Sequence, residues 1–438
     1  MFLDEIVAAQ QRGEAKGITS VCSAHAWVLK TVLRSDDLSR RNRTTEVVTT
    51  PVLIEATCNQ VNQFGGYTGM TPNDFVAYVR GIAEQVDFPF EQIIFGGDHL
   101  GPNVWQNEPA EVAMEKSKAM VRDYVRAGFT KIHLDCSMPC ADDTSLPVEV
   151  IASRAAQLAK VAESALTPDP SPRGRGGQLR YIIGSEVPVP GGATEHEEGV
   201  SVTKVEDARQ TIEVTREAFV KAGLESAWER VVGVVVQPGV EFCDDFVLPY
   251  QPEAAKELSR FIESQRLVYE AHSTDYQTRE ALANLVRDHF AILKVGPGLT
   301  FAFREAVFAL ALIENELTAR NERSNIIQVL DDVMVSQPQY WKKYYRGDKT
   351  EQAFKRKYSL SDRARYYWVQ PDVQNAFERL MKNLGNETLP YALLSQFVGE
   401  TGLSAEQVIE ARLNRVLGDY MKACDGESAP VLNTGHAV

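Results

Sequence analysis

Eight short apolar runs rich in β-branched residues recur between residues 18 and 298, separated by stretches with amphipathic helical spacing. They are Ile18–Ala24, Val47–Thr57, Ile93–Asp98, Lys131–Ser137, Arg180–Val187, Val232–Pro238, Leu267–Ser273 and Ala291–Gly298. A continuous run such as VVGVVVQ suits a strand buried on both faces, which is the habit of parallel sheets. Ala110–Gly128 and Val205–Ala222 are typical of the helical spacing between runs. Strand and helix alternating eight times predict a closed α/β barrel, the (β/α)8 or TIM fold, over residues 1–315. An open doubly wound sheet is the alternative, and the eightfold repetition favours closure.

Past residue 315 the apolar runs stop. Charged and aromatic sequence takes over, as in YWKKYYRGDK and YSLSDRARYYW, and predicts a helical extension over 316–425 packed on the barrel. Residues 426–438 read as a loose tail. The segment 166–177, LTPDPSPRGRGG, is foreign to its surroundings. Its prolines and glycines exclude helix and central strand. It falls between the fourth helix and the fifth strand, on the barrel face opposite the expected site, and reads as a flexible insertion without a catalytic role.

The 438 residues carry 46 Lys and Arg against 60 Asp and Glu, a net charge of −14. That balance argues against nucleic acid or an anionic membrane as the main partner. No apolar run is long enough to span a bilayer, and the N-terminus lacks a signal-peptide core. The six cysteines are scattered, so Cys136-x3-Cys140 alone is a weak zinc signal and reduced, cytoplasmic thiols are the better reading.

In this fold chemistry sits at the C-terminal ends of the strands. Those ends are polar here: His25; Glu55, Asn59 and Gln63; Asp98 and His99; Asp135; Glu186; Gln237 and Glu241; Glu270, His272 and Asp275; Lys294. Burying such groups costs several kcal/mol unless they are paired or hold a cation. An internal hydrogen-bond network is the bland reading of the set. Imidazole with carboxylate suits a divalent ion such as Zn, Mn, Co or Ni, so His99, Glu186 and His272 are the expected metal ligands. Asp98, Asp135 and Glu241 are the expected proton-transfer groups. His25, Asn59, Gln63, Gln237, Asp275 and Lys294 are the expected substrate contacts. His133 reads as core because of its mid-strand place.

GGDHLGPN, IEATCNQVNQFGGYTGMTP, GFTKIHLDCSM, GSEVPVPGG, YEAHSTDYQ, LKVGPGLTFAFREA and YSLSDRARYYW together resemble the GatZ/KbaZ-type subunit of tagatose-bisphosphate aldolase. The resemblance spans nearly the whole chain. It implies a relative of the class II, metal-dependent aldolases, with Asp98-His99 matching their Asp-His pair and His272 a later zinc ligand. Members of the family carry three labels: non-catalytic aldolase subunit, tagatose-6-phosphate kinase, and ketohexose or hexuronate 4-epimerase. No phosphate loop of either kinase type is present. Where the aldolases have glycines after the later His, this chain has Ser273, Thr274 and Asp275, and Asp275 would repel phosphate. The expectation is therefore a metal-dependent 4-epimerase of a free ketohexose (D-fructose/D-tagatose), by retro-aldol cleavage and readdition. The alternative is an accessory subunit of a class II tagatose-bisphosphate aldolase. Expected partners are a sugar substrate and either a second copy of the chain or a catalytic aldolase subunit.

Overall fold

A computed structural model describes residues 2–35, 39–41, 47–49, 51–166, 179–185 and 200–426. Eight parallel strands close into a barrel: β1 (Ile18–Val21), β2 (Val52–Thr57), β3 (Ile93–Leu100), β4 (Lys131–Leu134), β5 (Arg180–Ile183), β6 (Val231–Val235), β7 (Val268–Ala271) and β8 (Phe290–Val295). Each pairs with its sequence neighbour, and β1 closes the ring on β8 with Ile18 opposite Ile292 and Val21 opposite Val295. This is the expected (β/α)8 barrel. The second strand is shorter than its apolar run. Pro51 has no N–H to give a central ladder, so the run breaks there. Val47–Thr49 instead pairs antiparallel with Ser39–Arg41 as a separate hairpin.

The strands' period of two sorts the barrel interior into layers. Near the N-terminal face Leu53, Ile94, Val268 and Ile292 meet in an apolar cluster, which the first helix (Phe2–Gln11) plugs with Leu3 and Ile6. Two residues further along the same strands stand Glu55, Gly96, Glu270 and Lys294. The barrel therefore changes from oil to charge within one repeat of the pleat.

Beyond the barrel the chain is helical, as expected. Helices Pro297–Leu317, Ile326–Ser336, Lys349–Tyr358, Pro371–Leu384, Tyr391–Phe397 and Ala405–Cys424 follow β8. Ser404 starts the last of these with a capping box, its hydroxyl accepting from the Gln407 N–H while the Gln407 side chain returns to the Ser404 N–H. That helix lies over the seam between the first and last barrel units. It packs on helices Ala26–Arg34, Arg279–Arg287 and Pro297–Leu317, and Cys424 O accepts from the Gly17 N–H at 2.7 Å. Tyr420 reaches inward to donate to Thr274 O at 2.6 Å. All six cysteines are free thiols. Among the described residues no helix is long and apolar enough to cross a membrane. The insertion expected beyond Leu166, Glu186, and the tail expected beyond Gly426 lie outside the described residues.

Candidate functional site

Strand β4 carries Lys131 and His133 on its inward face, with Ile132 and Leu134 turned to the surrounding core. Lys131 is fully buried, and its ammonium bridges Glu55 at 2.6 Å and Glu270 at 2.7 Å. Gly96 makes this reach feasible. It lies in register between Glu55 and Lys131, and a Cβ there would meet Glu55 Cγ at 2.6 Å. Lys294 is the second cation, 2.6 Å from Glu55, 2.7 Å from Asp98 and 3.5 Å from Glu270. Cys22, Glu55 and Asp98 also converge, but burial pushes the Cys22 thiol up, so it offers no thiolate to an ion. Burial alone would push the Glu270 and Asp98 carboxyls up. For Glu270 the two lysines, and for Asp98 the His99 imidazole and Lys294, hold them well below the usual carboxylate range instead.

Above this ionic layer sit three imidazoles. The rings of His99, His133 and His272 lie 5.0 to 5.3 Å apart, centroid to centroid. Asp98 and His99 are adjacent in sequence and would face opposite ways on a regular strand. Here β3 shifts register between Gly97 and Leu100, and His99 takes a left-handed φ of 50°. The break in pleat lets Asp98 and His99 both face the mouth. A non-glycine residue held in that region costs roughly 1–3 kcal/mol, a strain that clusters at functional sites.

Asp98 Oδ1 pairs with His133 Nδ1 at 2.8 Å. His99 Nδ1 lies 2.7 Å from Asp135 Oδ2, and Ser137 donates to the other Asp135 oxygen through its N–H and hydroxyl. The His99–Asp135 contact draws the Asp135 carboxyl down against the opposing effect of burial. Burial resists protonation of His99 as well, and Asp98 and Asp135 more than offset it, so its pKa is raised. Burial carries His272 the other way, down to about 3, so that imidazole is neutral with a lone pair to offer.

Asp98, His133, Glu270 and His272 bring one potential ligand atom each within 4.8 Å of one another. They suit a divalent cation in donor type: two imidazoles and two carboxylates. His133 Nε2 is buried without a hydrogen-bond partner, which a ligating nitrogen awaiting its ion would be. Of the expected ligands, His272 belongs to this group. His99 stands beside it with Nδ1 committed to Asp135, and Glu186 is outside the described residues. His133 and Glu270 complete the group.

The cavity above is lined by Asn59, Asp98, His99, His272, Asp275 and Lys294, together with Tyr67, Arg365 and Tyr366. His25 lines an adjoining lobe with Arg365 and Thr68, packed 4.2 Å from the Phe303 ring, and burial lowers its pKa to about 4. Two expected substrate contacts, Gln63 and Gln237, and one expected proton-transfer group, Glu241, point elsewhere. Gln63 donates to Lys116 O at 3.0 Å on the neighbouring helix. Gln237 folds back to accept from the Gly239 and Val240 N–H groups. Glu241 lies in a small hairpin after β6, where it accepts from the Phe242 N–H at 3.0 Å.

Arg365 and Tyr366 come from the helical extension, which the sequence marks only as packing on the barrel, and both line the cavity. Tyr366 meets Tyr67 of the β2 loop at 4.7 Å, closing the cavity from above. Arg365 donates to Ser361 O, Asp362 O and the Tyr366 hydroxyl. A buried pair anchors the segment: Arg304 to Asp362 at 2.8 Å, with Thr300 donating to the other Asp362 oxygen at 2.5 Å.

A family model, D-tagatose-1,6-bisphosphate aldolase subunit GatZ/KbaZ-like, matches residues 3–425. A curated relative from Salmonella dublin, "D-tagatose-1,6-bisphosphate aldolase subunit GatZ", is 54% identical over 397 residues, 90% of each chain. Its namesake from Klebsiella pneumoniae is 51% identical over 437 residues, 98% of this chain and 100% of its own. A crystal structure described as a probable tagatose 6 phosphate kinase from Sinorhizobium meliloti 1021 is 45% identical. It superposes with a TM-score of 0.83 and covers 93% of this chain and 100% of that one. These relatives correct the expectation of a stand-alone ketohexose 4-epimerase: curated chains more than half identical to this one are named as aldolase subunits. Much of the polarity at the strand ends is spent internally, with Glu55, Asp98 and Glu270 drawn into ion pairs with Lys131 and Lys294.

Proposed function

Since the chain belongs to the GatZ/KbaZ-like family of D-tagatose-1,6-bisphosphate aldolase subunits, we propose that it is the accessory subunit of a class II aldolase acting on that bisphosphate. Cleavage is carried by a separate catalytic subunit. The observation that carries this reading is its likeness to the Klebsiella pneumoniae subunit, which runs through 98% of this chain and 100% of that one at 51% identity. The test is direct. The purified chain alone leaves D-tagatose 1,6-bisphosphate intact; added to the catalytic subunit from the same organism, it raises the specific activity or lengthens the half-life at 37 °C several-fold. Cleavage by the chain alone, or no effect on the catalytic subunit, would overturn the proposal.

A divalent cation, of the Zn, Mn, Co or Ni kind, belongs to the same reading. Asp98, His133, Glu270 and His272 would hold it. Such an ion would supply Lewis acidity in a class II aldolase; in an accessory subunit these residues would use it to tie the strands that carry them together. His133→Ala should lower zinc affinity at least about tenfold, as loss of a ligand or its support does. Metal content after dialysis against buffered zinc measures this, and wild-type stoichiometry in His133→Ala would remove His133 from the ligand set.

A further inference from the structure

The helix Pro297–Leu317 begins at the cavity wall, which Gly296 and Pro297 help to line, and a helix N-terminus is a place that favours an anion. That place is taken from within. Asp275 Oδ1 accepts from the Gly296 N–H at 2.9 Å and from the Gly298 N–H at 2.7 Å. The fit is close: a Cβ on Gly298 would stand 3.0 Å from the same oxygen. Asp275 is itself buried, at 3% exposure, yet lines the cavity together with Ser273 and Arg365. The loop from β7 is bent to bring it there. Ser273 and Tyr276 both take left-handed φ, of 53° and 65°, and the Thr274 hydroxyl is pinned to Lys294 O at 2.5 Å.

We propose that Asp275 is the specificity determinant of this cavity: a built-in carboxylate that fills its anion cradle, so that the mouth takes an uncharged polyhydroxy ligand and turns away a phosphorylated one. An entering phosphate would have to displace a tethered carboxylate from two backbone donors, or sit beside its charge in a site shielded from water. A free polyol meets no such obstacle. Its hydroxyls can pair with Asn59, His99, Lys294 and Arg365 around the rest of the wall. This deepens the accessory-subunit reading, since a mouth closed to phosphate leaves the bisphosphate to the catalytic subunit, but it rests on geometry in this chain alone.

The test therefore uses the full chain without any partner, and inorganic phosphate as the probe, followed by calorimetric titration at pH 7.5. Wild type should bind no phosphate in the low millimolar range. Asp275→Ala frees both amides and should bind it at least about tenfold more tightly, the factor one charge-assisted hydrogen bond supplies. Asp275→Asn keeps the volume and an accepting oxygen and should match wild type. Should the alanine variant fail to fold, Asp275→Ser, which withdraws the oxygen from the amides but keeps a short polar side chain, carries the same expectation. Phosphate binding by wild type as tight as by the opened variant, or a folded opened variant with no gain, overturns the proposal. Either result leaves the partner assay above untouched, and failure of that assay leaves this one standing.

Discussion

Lys131→Met should cost the protein about 3–5 kcal/mol of stability, the usual penalty for removing one partner of a buried ion pair. The ammonium is sealed from solvent, and its neighbours Glu55 and Glu270 are sealed with it. Burial opposes the charge on Lys131, and Glu270 and Glu55 outweigh burial and raise its pKa. Methionine fills the same space but leaves Glu55 and Glu270 to share Lys294 with Asp98. Urea unfolding followed by far-UV circular dichroism gives the midpoint shift. The variant that also carries Glu55→Gln and Glu270→Gln should recover a large part of the loss, because Lys294 and Asp98 then remain as a single matched pair. A loss below about 1 kcal/mol for the single variant, the worth of an ordinary exposed pair, would mean that the layer is not sealed.

Arg304→Met should release the segment that roofs the cavity. Arg304 and Asp362 are almost entirely buried, and Arg304 also donates to Ser359 O at 3.2 Å. Asp362 holds a left-handed φ of 42°, a conformation the neighbouring bonds must enforce. With the guanidinium gone, its carboxylate is buried with one hydroxyl for company. Amide hydrogen exchange across residues 359–366 should quicken at least a hundredfold, the rate equivalent of about 3 kcal/mol of local stability. The β5 and β6 strands, remote from the roof, should keep their protection. Unchanged exchange in the roof would show that the aromatic contacts of Tyr366 suffice to hold it.

Much of the barrel was legible because parallel strands buried on both faces leave an apolar signature that amphipathic helices interrupt. The second strand was overread for a plain reason: Val47–Thr49 has strand composition, and Pro51, which decides where the ladder can begin, is a single residue. The site was half legible. Asp98, His99, His272, Asp275, Asn59 and Lys294 lie together as strand-end residues should. Lys131 and His133 were passed over because they sit within a strand, where core is the ordinary reading. The signal was there in Lys131-x-His133-x-Asp135: polar residues at period two put three side chains on one inward face. Gln63, Gln237 and Glu241 follow strands closely in sequence, but loop geometry turns each to a local partner. Nothing local marks Arg365 and Tyr366 as wall residues, since their place depends on how the extension folds back over the mouth.

The helix over the barrel seam has a consequence for how the chain is made. On the ribosome β1 emerges early and must wait for β8 before its second edge is paired, and the seam stays bare until Ala405–Cys424 has also been synthesised. During that interval an apolar strand edge and the flank of an unfinished barrel face solvent, the kind of surface that recruits holding chaperones and seeds aggregation. A transcript truncated upstream of codon 405 would leave every strand of the barrel present and its seam permanently open. Such a product is an early client for proteolysis, even though each group of the ionic layer and of the candidate metal centre had already been translated.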